Sequence, residues 1–155
     1  MSTDAARQAW RTIQRLLFDG ESQGRMGQAC RTVGGPPSMV KAILHLSPDE
    51  ARPMRDMAEH WGCDASYVTS VADSLEQQGL AERRPHATDR RVKTLVLTPK
   101  GAKTRDKVLA LLWEPPPAFA ALTDEEQVTL RDLLDKVADA DEVLRTSGEF
   151  SHLGR

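Results

Sequence analysis

The sequence predicts a mainly α-helical fold that contains one small β-hairpin. Apolar residues recur at helical spacing along most of the chain, whereas 80–84 and 92–98 are candidates for two short strands, the second of which is rich in β-branched residues. Two short helices are predicted immediately before these strands, at 53–60 and 64–78, and Gly62 lies between them where a tight turn favours a positive φ. Two helices, a tight turn and a hairpin in this order predict a winged helix-turn-helix.

The N-terminal part of the chain is predicted to be one long, imperfect helix that ends near Val33. Residues 4–18 have the apolar spacing of a helix, but Gly20, Gly24 and Gly27 follow, and each costs about 1 kcal/mol relative to alanine in a helix. The alternative is a break near Gly20. Since nothing in this stretch resembles a strand, we expect a continuous helix, terminated by the glycines and prolines of 34–37.

The elements around the predicted winged helix-turn-helix unit have clear local signals. A short apolar helix is predicted at 38–46, and a short strand at 51–52. Asp64 is a suitable N-cap for the second helix of the unit, and Gly79 is suited to end that helix. Thr98 and the proline after it are predicted to begin a helix that runs to about Trp113.

The C-terminal segment begins with a break and ends with an amphipathic helix. Residues 114–117 contain three consecutive prolines and cannot lie inside a helix, whereas Thr123 and Glu126 have the spacing of a capping box. The last helix has an apolar stripe that needs a surface to cover it, formed by Leu130, Leu133, Leu134, Val137 and Leu144. We therefore expect a homodimer, with dimerisation helices in 1–35 and 99–155 and the winged helix-turn-helix in 36–98.

The net charge of −2 conceals a strong segregation of charge along the chain. Residues 80–107 contain nine basic and three acidic side chains, a balance of +6, whereas 1–79 and 108–155 are both net acidic. A basic band between acidic flanks is typical of a surface that binds a polyanion, and the alternative is an ordinary solvated face. Because a helix-turn-helix is predicted beside the band, double-stranded DNA is the expected partner.

The second helix of the unit has a polar, uncharged outer edge. A recognition helix presents side chains of its first turns to base edges in the major groove. The candidates for this role are Ser66, Tyr67, Thr69, Ser70 and Asp73, while the residues between them point inward. No arginine or lysine lies between Asp64 and Gly79, so this helix lacks the side chains that read guanine with two hydrogen bonds.

The predicted hairpin supplies the positive charge that the recognition helix lacks. Arg90 and Arg91 lie at its tip, where they are suited to a narrow minor groove rich in A·T pairs. The candidates for phosphate contacts along the strands are Arg83, Arg84 and Lys93. Asp89 is expected to orient an arginine by a charge-assisted hydrogen bond.

The run from residue 54 to residue 101 resembles the MarR family of transcriptional regulators. The segment VTSVADSLEQQGLAERR, the tip DRR followed by a strand, and LTPKG at the start of the next helix carry the resemblance. It implies a homodimeric DNA-binding regulator, most often a repressor of a palindromic operator relieved by a small aromatic or lipophilic effector. The candidate effector contacts by position are Trp10, Phe18, Met39, His45 and Trp113.

Other classes of function find little support in the sequence. No catalytic triad, phosphate-binding loop or paired carboxylates occur, so an enzyme is not expected, and no cofactor or metal is expected either. Cys63 suits core packing better than a metal site with His60, whereas a redox role for Cys30 stays an alternative, as does a winged helix used for protein–protein contact. With no bilayer-spanning run, no signal-peptide pattern and only two cysteines, we expect a cytoplasmic protein without membrane contacts.

Overall fold

A computed structural model describes residues 3–146 of the chain, with side chains up to residue 141. Two helices form the N-terminal part: α1 (Asp4–Leu17) and α2 (Gly20–Val33). The prediction of one continuous helix is therefore wrong, although its end at Val33 is confirmed. The reason is Asp19, whose side chain accepts a hydrogen bond of 2.7 Å from the backbone N–H of Ser22 and so caps the start of α2.

The next three helices contain the helix-turn-helix. They are α3 (Pro37–His45), α4 (Met54–Trp61) and α5 (Ala65–Gln77), and a two-residue strand, β1 (Arg52–Pro53), precedes α4. Gly62 has φ +61°, which confirms the predicted left-handed turn between α4 and α5. Asp64 occupies the N-cap position of α5 as predicted. Its side chain makes no capping hydrogen bond, so that part of the prediction is wrong.

The hairpin joins β2 (Ala81–Pro85) to β3 (Lys93–Leu97) in a three-stranded antiparallel sheet of order β1-β3-β2. Its register runs from Ala81 opposite Leu97 to Pro85 opposite Lys93. The loop 86–92 is consequently the tip of the wing, and the opposite end of the hairpin meets α6 (Pro99–Trp113). Thr98 caps α6 by accepting a hydrogen bond of 3.0 Å from the N–H of Gly101.

The hydrophobic core lies where the helix-turn-helix meets α2, α3 and α6. Met39, Ile43, Leu75 and Leu95 are almost completely buried, and the core also takes in Ala29 and Val33 of α2 and Val108 of α6. One compact unit accordingly ends at residue 114, and the second begins at residue 115. The boundaries predicted at 35/36 and 98/99 do not coincide with this division, because α2 and α6 complete the core.

The second unit begins with a 3₁₀ turn (Pro117–Ala121) and continues in α7 (Asp124–Thr146). The predicted capping box is present: the N–H of Thr123 donates to Glu126 at 2.8 Å, and the N–H of Glu126 donates to the Thr123 hydroxyl at 3.3 Å. Leu133, Leu134 and Val137 of the apolar stripe are exposed. Leu144 lies outside the residues whose side chains are described. Within the described residues, no helix is both long and apolar enough to cross a bilayer.

Candidate nucleic-acid interface

Helix α5 separates its side chains into a buried face and an exposed edge. Val68, Val71, Ala72 and Leu75 are buried against the core. The five residues predicted to face the major groove are all exposed: Ser66, Tyr67, Thr69, Ser70 and Asp73. The fold thus orients the predicted reading edge away from the core, while its contacts with DNA stay a prediction.

The hydrogen-bonding capacity of this edge is mostly unused. The Thr69 hydroxyl donates to the carbonyl of Ala65 at 2.9 Å, so it presents a methyl group and acceptor lone pairs outward. Among the described residues, the hydroxyls of Ser66, Tyr67 and Ser70 have no intramolecular partner. Such hydroxyls both donate and accept, so they accommodate several bases and discriminate weakly.

The tip of the wing is organised by backbone hydrogen bonds. The N–H of His86 donates to the carbonyl of Val92 at 3.0 Å, and the N–H of Val92 donates to the carbonyl of Asp89 at the same distance. The Asp89 carboxylate accepts a hydrogen bond of 3.0 Å from the backbone N–H of Arg91. Asp89 therefore shapes the backbone of the tip, and the expectation that it orients an arginine side chain is corrected.

The cations of the hairpin differ in whether they pair with a carboxylate. Arg90, Arg91 and Lys93 are exposed, and in the part of the chain with described side chains none of them has a carboxylate partner. Arg84 instead pairs with Glu82, its Nε lying 2.6 Å from the carboxylate. The tip and Lys93 thus provide the free positive charge of the wing.

Arg83 is bound within the protein. Its guanidinium donates to Asp73 at 2.6 Å, to the carbonyl of Thr69 at 3.3 Å, and to Glu76. Burial by itself would lower the pKa of Arg83, but the hydrogen bond to Asp73 and the charge of Glu76 outweigh it and raise the pKa. Arg83 and Asp73, both predicted to contact DNA, are therefore brought together as an ion pair.

The basic band of the sequence is divided in space by the hairpin. Its first cations lie along β2 and at the wing tip, whereas those of 100–107 lie on α6, which begins at the other end of the five-residue pairing. One of the latter, Lys100, donates to the carbonyl of Gln78 at 2.7 Å and so satisfies the C-terminal end of α5. The cations of the band are consequently shared between the hairpin and α6.

Two residues that position the site were not recognised in the sequence. Glu76 accepts from both the guanidinium and the backbone N–H of Arg83, the latter at 2.8 Å. Gly101 lies so close to the carbonyl oxygen of Leu80 that a Cβ there would be 1.8 Å from it. The only signal for Gly101 was its place in LTPKG, and nothing in the sequence pointed to Glu76.

The five candidate effector contacts differ widely in their exposure within the described chain. Met39 is 2% exposed and lies in the core, whereas Trp10, Phe18 and Trp113 are 58%, 69% and 73% exposed. His45 is half-buried, and its ring lies 4.9 Å from that of His60 between centroids. Exposure alone does not show whether these residues share a binding site, so their effector role stays a prediction.

Both cysteines are half-buried, free thiols that pack against the core. For Cys63 this agrees with the expectation of core packing in the turn. Among the described residues, no group of three or more His, Cys, Asp or Glu side chains has the proximity to hold a metal ion.

A helix-turn-helix with an exposed polar edge, flanked by a wing with free cations, defines a DNA-binding protein of the winged-helix class. Comparison with known proteins identifies the family. Residues 43–93 match the model of the MarR family. Because this match is joined by similarity to two named transcriptional regulators over most of the chain, the protein belongs to the MarR family and is a DNA-binding transcriptional regulator rather than an enzyme.

The chain is similar to the HTH-type transcriptional repressor MdtR of Bacillus subtilis, with 30% identity over 121 residues that cover 77% of this chain and 78% of MdtR. It is also similar to the HTH-type transcriptional regulator BilQ of Clostridium symbiosum, with 31% identity over 96 residues, 61% of this chain and 67% of BilQ. Among solved structures, the YusO protein of Bacillus subtilis superposes with a TM-score of 0.63 and 28% identity, covering 90% of this chain and 99% of YusO.

Proposed function

We propose that this regulator is a cytoplasmic homodimer that represses transcription by binding a palindromic operator containing A·T pairs. The observation that carries the proposal is the difference in exposed side-chain chemistry between α5 and the wing. The exposed edge of α5 has hydroxyl groups but no cation, whereas Arg90, Arg91 and Lys93 are exposed and free of carboxylate partners in the described chain. The wing therefore supplies affinity and α5 supplies modest base discrimination.

Repression is supported by the similarity to MdtR, which is named a transcriptional repressor. With weak readout along α5, sequence preference then comes from groove width at the wing and from the spacing of the two half-sites.

The proposal of a homodimer is supported by apolar side chains that one chain leaves exposed. On α1, no residue is buried, and Trp10 and Leu17 are 58% and 57% exposed. On α7, Leu133 and Val137 are 59% and 67% exposed. A second copy that covers these helices would bring two recognition helices about 34 Å apart, the distance between successive major grooves on one side of DNA.

Relief of repression by a small aromatic or lipophilic effector is part of the proposal. The exposed side chains of Trp10, Phe18 and Trp113 are the part of the candidate set that a second copy could enclose. A binding site completed by dimerisation agrees with their exposure in one chain, whereas Met39 would act only as the packed floor of such a site. Screening aromatic anions for their effect on operator affinity tests this part.

The proposal that the wing binds the operator is tested by two double variants, each of which removes two positive charges. We expect Arg90→Ala/Arg91→Ala to weaken operator binding by about tenfold or more and to reduce the salt dependence by about 0.9 in log–log slope for each phosphate that is no longer neutralised. The matched control is Lys103→Ala/Lys107→Ala, which removes two cations of the same basic band on α6.

Fluorescence anisotropy with the promoter region of the protein's own gene, at several salt concentrations, measures both quantities. The control is expected to bind within about twofold of the unmodified protein, since its two cations lie on α6 rather than on the wing. Equal losses of affinity in both variants would mean that only net charge matters, and the wing assignment would be abandoned.

A further inference from the structure

The side chain of Arg83 in the hairpin makes several hydrogen bonds to α5, the recognition helix. The guanidinium of Arg83, on β2, reaches the Asp73 carboxylate at 2.6 Å, the Thr69 carbonyl at 3.3 Å, and Glu76. Its backbone N–H donates to the other oxygen of Glu76 at 2.8 Å. The Arg83 side chain is 24% exposed, against 63% for Asp73 and 33% for Glu76.

These acceptors follow one another along a single face of α5. Residues 69, 73 and 76 are separated by four and three positions, which places them on successive turns over about 10 Å of helix axis. The planar guanidinium presents several donors in a fixed fork, so it can bond to all three at once. Arg83 therefore fixes both the rotation of α5 and its distance from the hairpin.

The charge of α5 gives this contact a consequence for DNA binding. The helix contains Asp73 and Glu76 but no arginine or lysine. When α5 enters the major groove, these two carboxylates approach the DNA phosphates. Like charges repel one another even in a medium of high dielectric constant. Arg83 provides a counter-charge to both, and because its side chain is partly buried, salt screens this charge less than it screens a fully exposed one.

We propose that Arg83 is a positioning residue for operator binding, which holds α5 against the wing and neutralises Asp73 and Glu76, rather than a phosphate contact. The inference rests on the proposed function, since it concerns how the same interface binds its operator. It also predicts that lysine cannot replace arginine here, because a single ammonium group does not bridge the carbonyl and both carboxylates.

Three variants separate the two roles of Arg83. If it positions α5, Arg83→Lys and Arg83→Met both weaken operator binding by at least about tenfold, and the salt slope stays the same because every phosphate contact is kept. The third variant, Asp73→Asn/Glu76→Gln/Arg83→Met, removes the uncompensated carboxylates and keeps neutral acceptors. It is expected to bind at least about fivefold more tightly than Arg83→Met alone.

The measurements are anisotropy titrations across salt concentrations, together with thermal unfolding to show that each variant is folded. The proposal is overturned if Arg83→Lys binds like the unmodified protein, if the salt slope of Arg83→Met falls by about 0.9, or if the triple variant stays as weak as Arg83→Met. Failure of the proposed function looks different: the unmodified protein itself would then show no preference for the promoter region over unrelated DNA.

Discussion

Replacing Gly101 by alanine tests whether the close approach of α6 to Leu80, between α5 and β2, determines stability. A Cβ on Gly101 would lie 1.8 Å from the Leu80 carbonyl oxygen, whereas real Cβ atoms stay at least 3.0 Å from such neighbours, so the backbone must move by about 1.2 Å. The same carbonyl accepts from the N–H of Thr98 at 3.0 Å. Overpacking costs about 1–3 kcal/mol, and a stretched hydrogen bond adds about 1 kcal/mol.

We therefore expect Gly101→Ala to destabilise the protein by about 2–4 kcal/mol, which lowers the Tm by roughly 5–15 °C for a chain of this length. Calorimetry at a fixed protein concentration measures this, since unfolding of a dimer depends on concentration. Two further glycines serve as controls. A Cβ has open space at both Gly24, in the interior of α2, and Gly62, but Gly62 has φ +61°.

The three variants should differ in a fixed order. Gly24→Ala is expected to raise stability by about 0.5–1 kcal/mol, and Gly62→Ala to lower it by about 1–2 kcal/mol through backbone strain alone. Gly101→Ala should be the least stable. If Gly101→Ala unfolds at the temperature of the unmodified protein, the contact with Leu80 does not constrain the fold and the reasoning is refuted.

Two more predictions concern assembly and pH. The double variant Leu133→Glu/Val137→Glu, on the exposed stripe of α7, should convert the proposed dimer to a monomer in analytical ultracentrifugation. The control Asp139→Lys, on the opposite face of α7, should leave the dimer intact. A dimer in both variants would contradict the proposed interface. Burial, and next the charge of His60, lower the pKa of His45 below 6.5. The unfolded chain therefore binds the proton more readily, so stability should fall as the pH drops through 6.5 and below, and His45→Gln should flatten that dependence in urea titrations.

The elements that were predicted well carry their signals within a few residues. Thr98 followed by a proline, the capping box at Thr123, and Gly62 in the turn each favour one local backbone conformation, and the structure has that conformation at all three. The first helix was predicted wrongly because two local signals compete there. Helical spacing continues across 18–20, but the Asp19 cap begins a new helix, and only the competition for backbone N–H groups decides between them.

The candidate site was likewise predicted only in part from the sequence. The exposure of the α5 edge followed from its spacing, because every inward residue has a fixed position on the helix. The pairing of Arg83 did not follow from the sequence, because its carboxylate partners Asp73 and Glu76 lie on another element, α5. In the structure Arg83 is bound to α5, Arg84 to Glu82 and Lys100 to the end of α5, which leaves the wing tip free.

By itself, then, the sequence determined the order of the helices and strands, the polar edge of the recognition helix and the family resemblance, all of which arise from short-range spacing. Only the tertiary structure decided which charges remain available to DNA and why Gly101 must lack a side chain. The physical reason is distance. An ion pair or a steric clash forms over a few ångströms between residues that the chain separates by seven to twenty-one positions, as in Arg83 with Glu76 and Gly101 with Leu80.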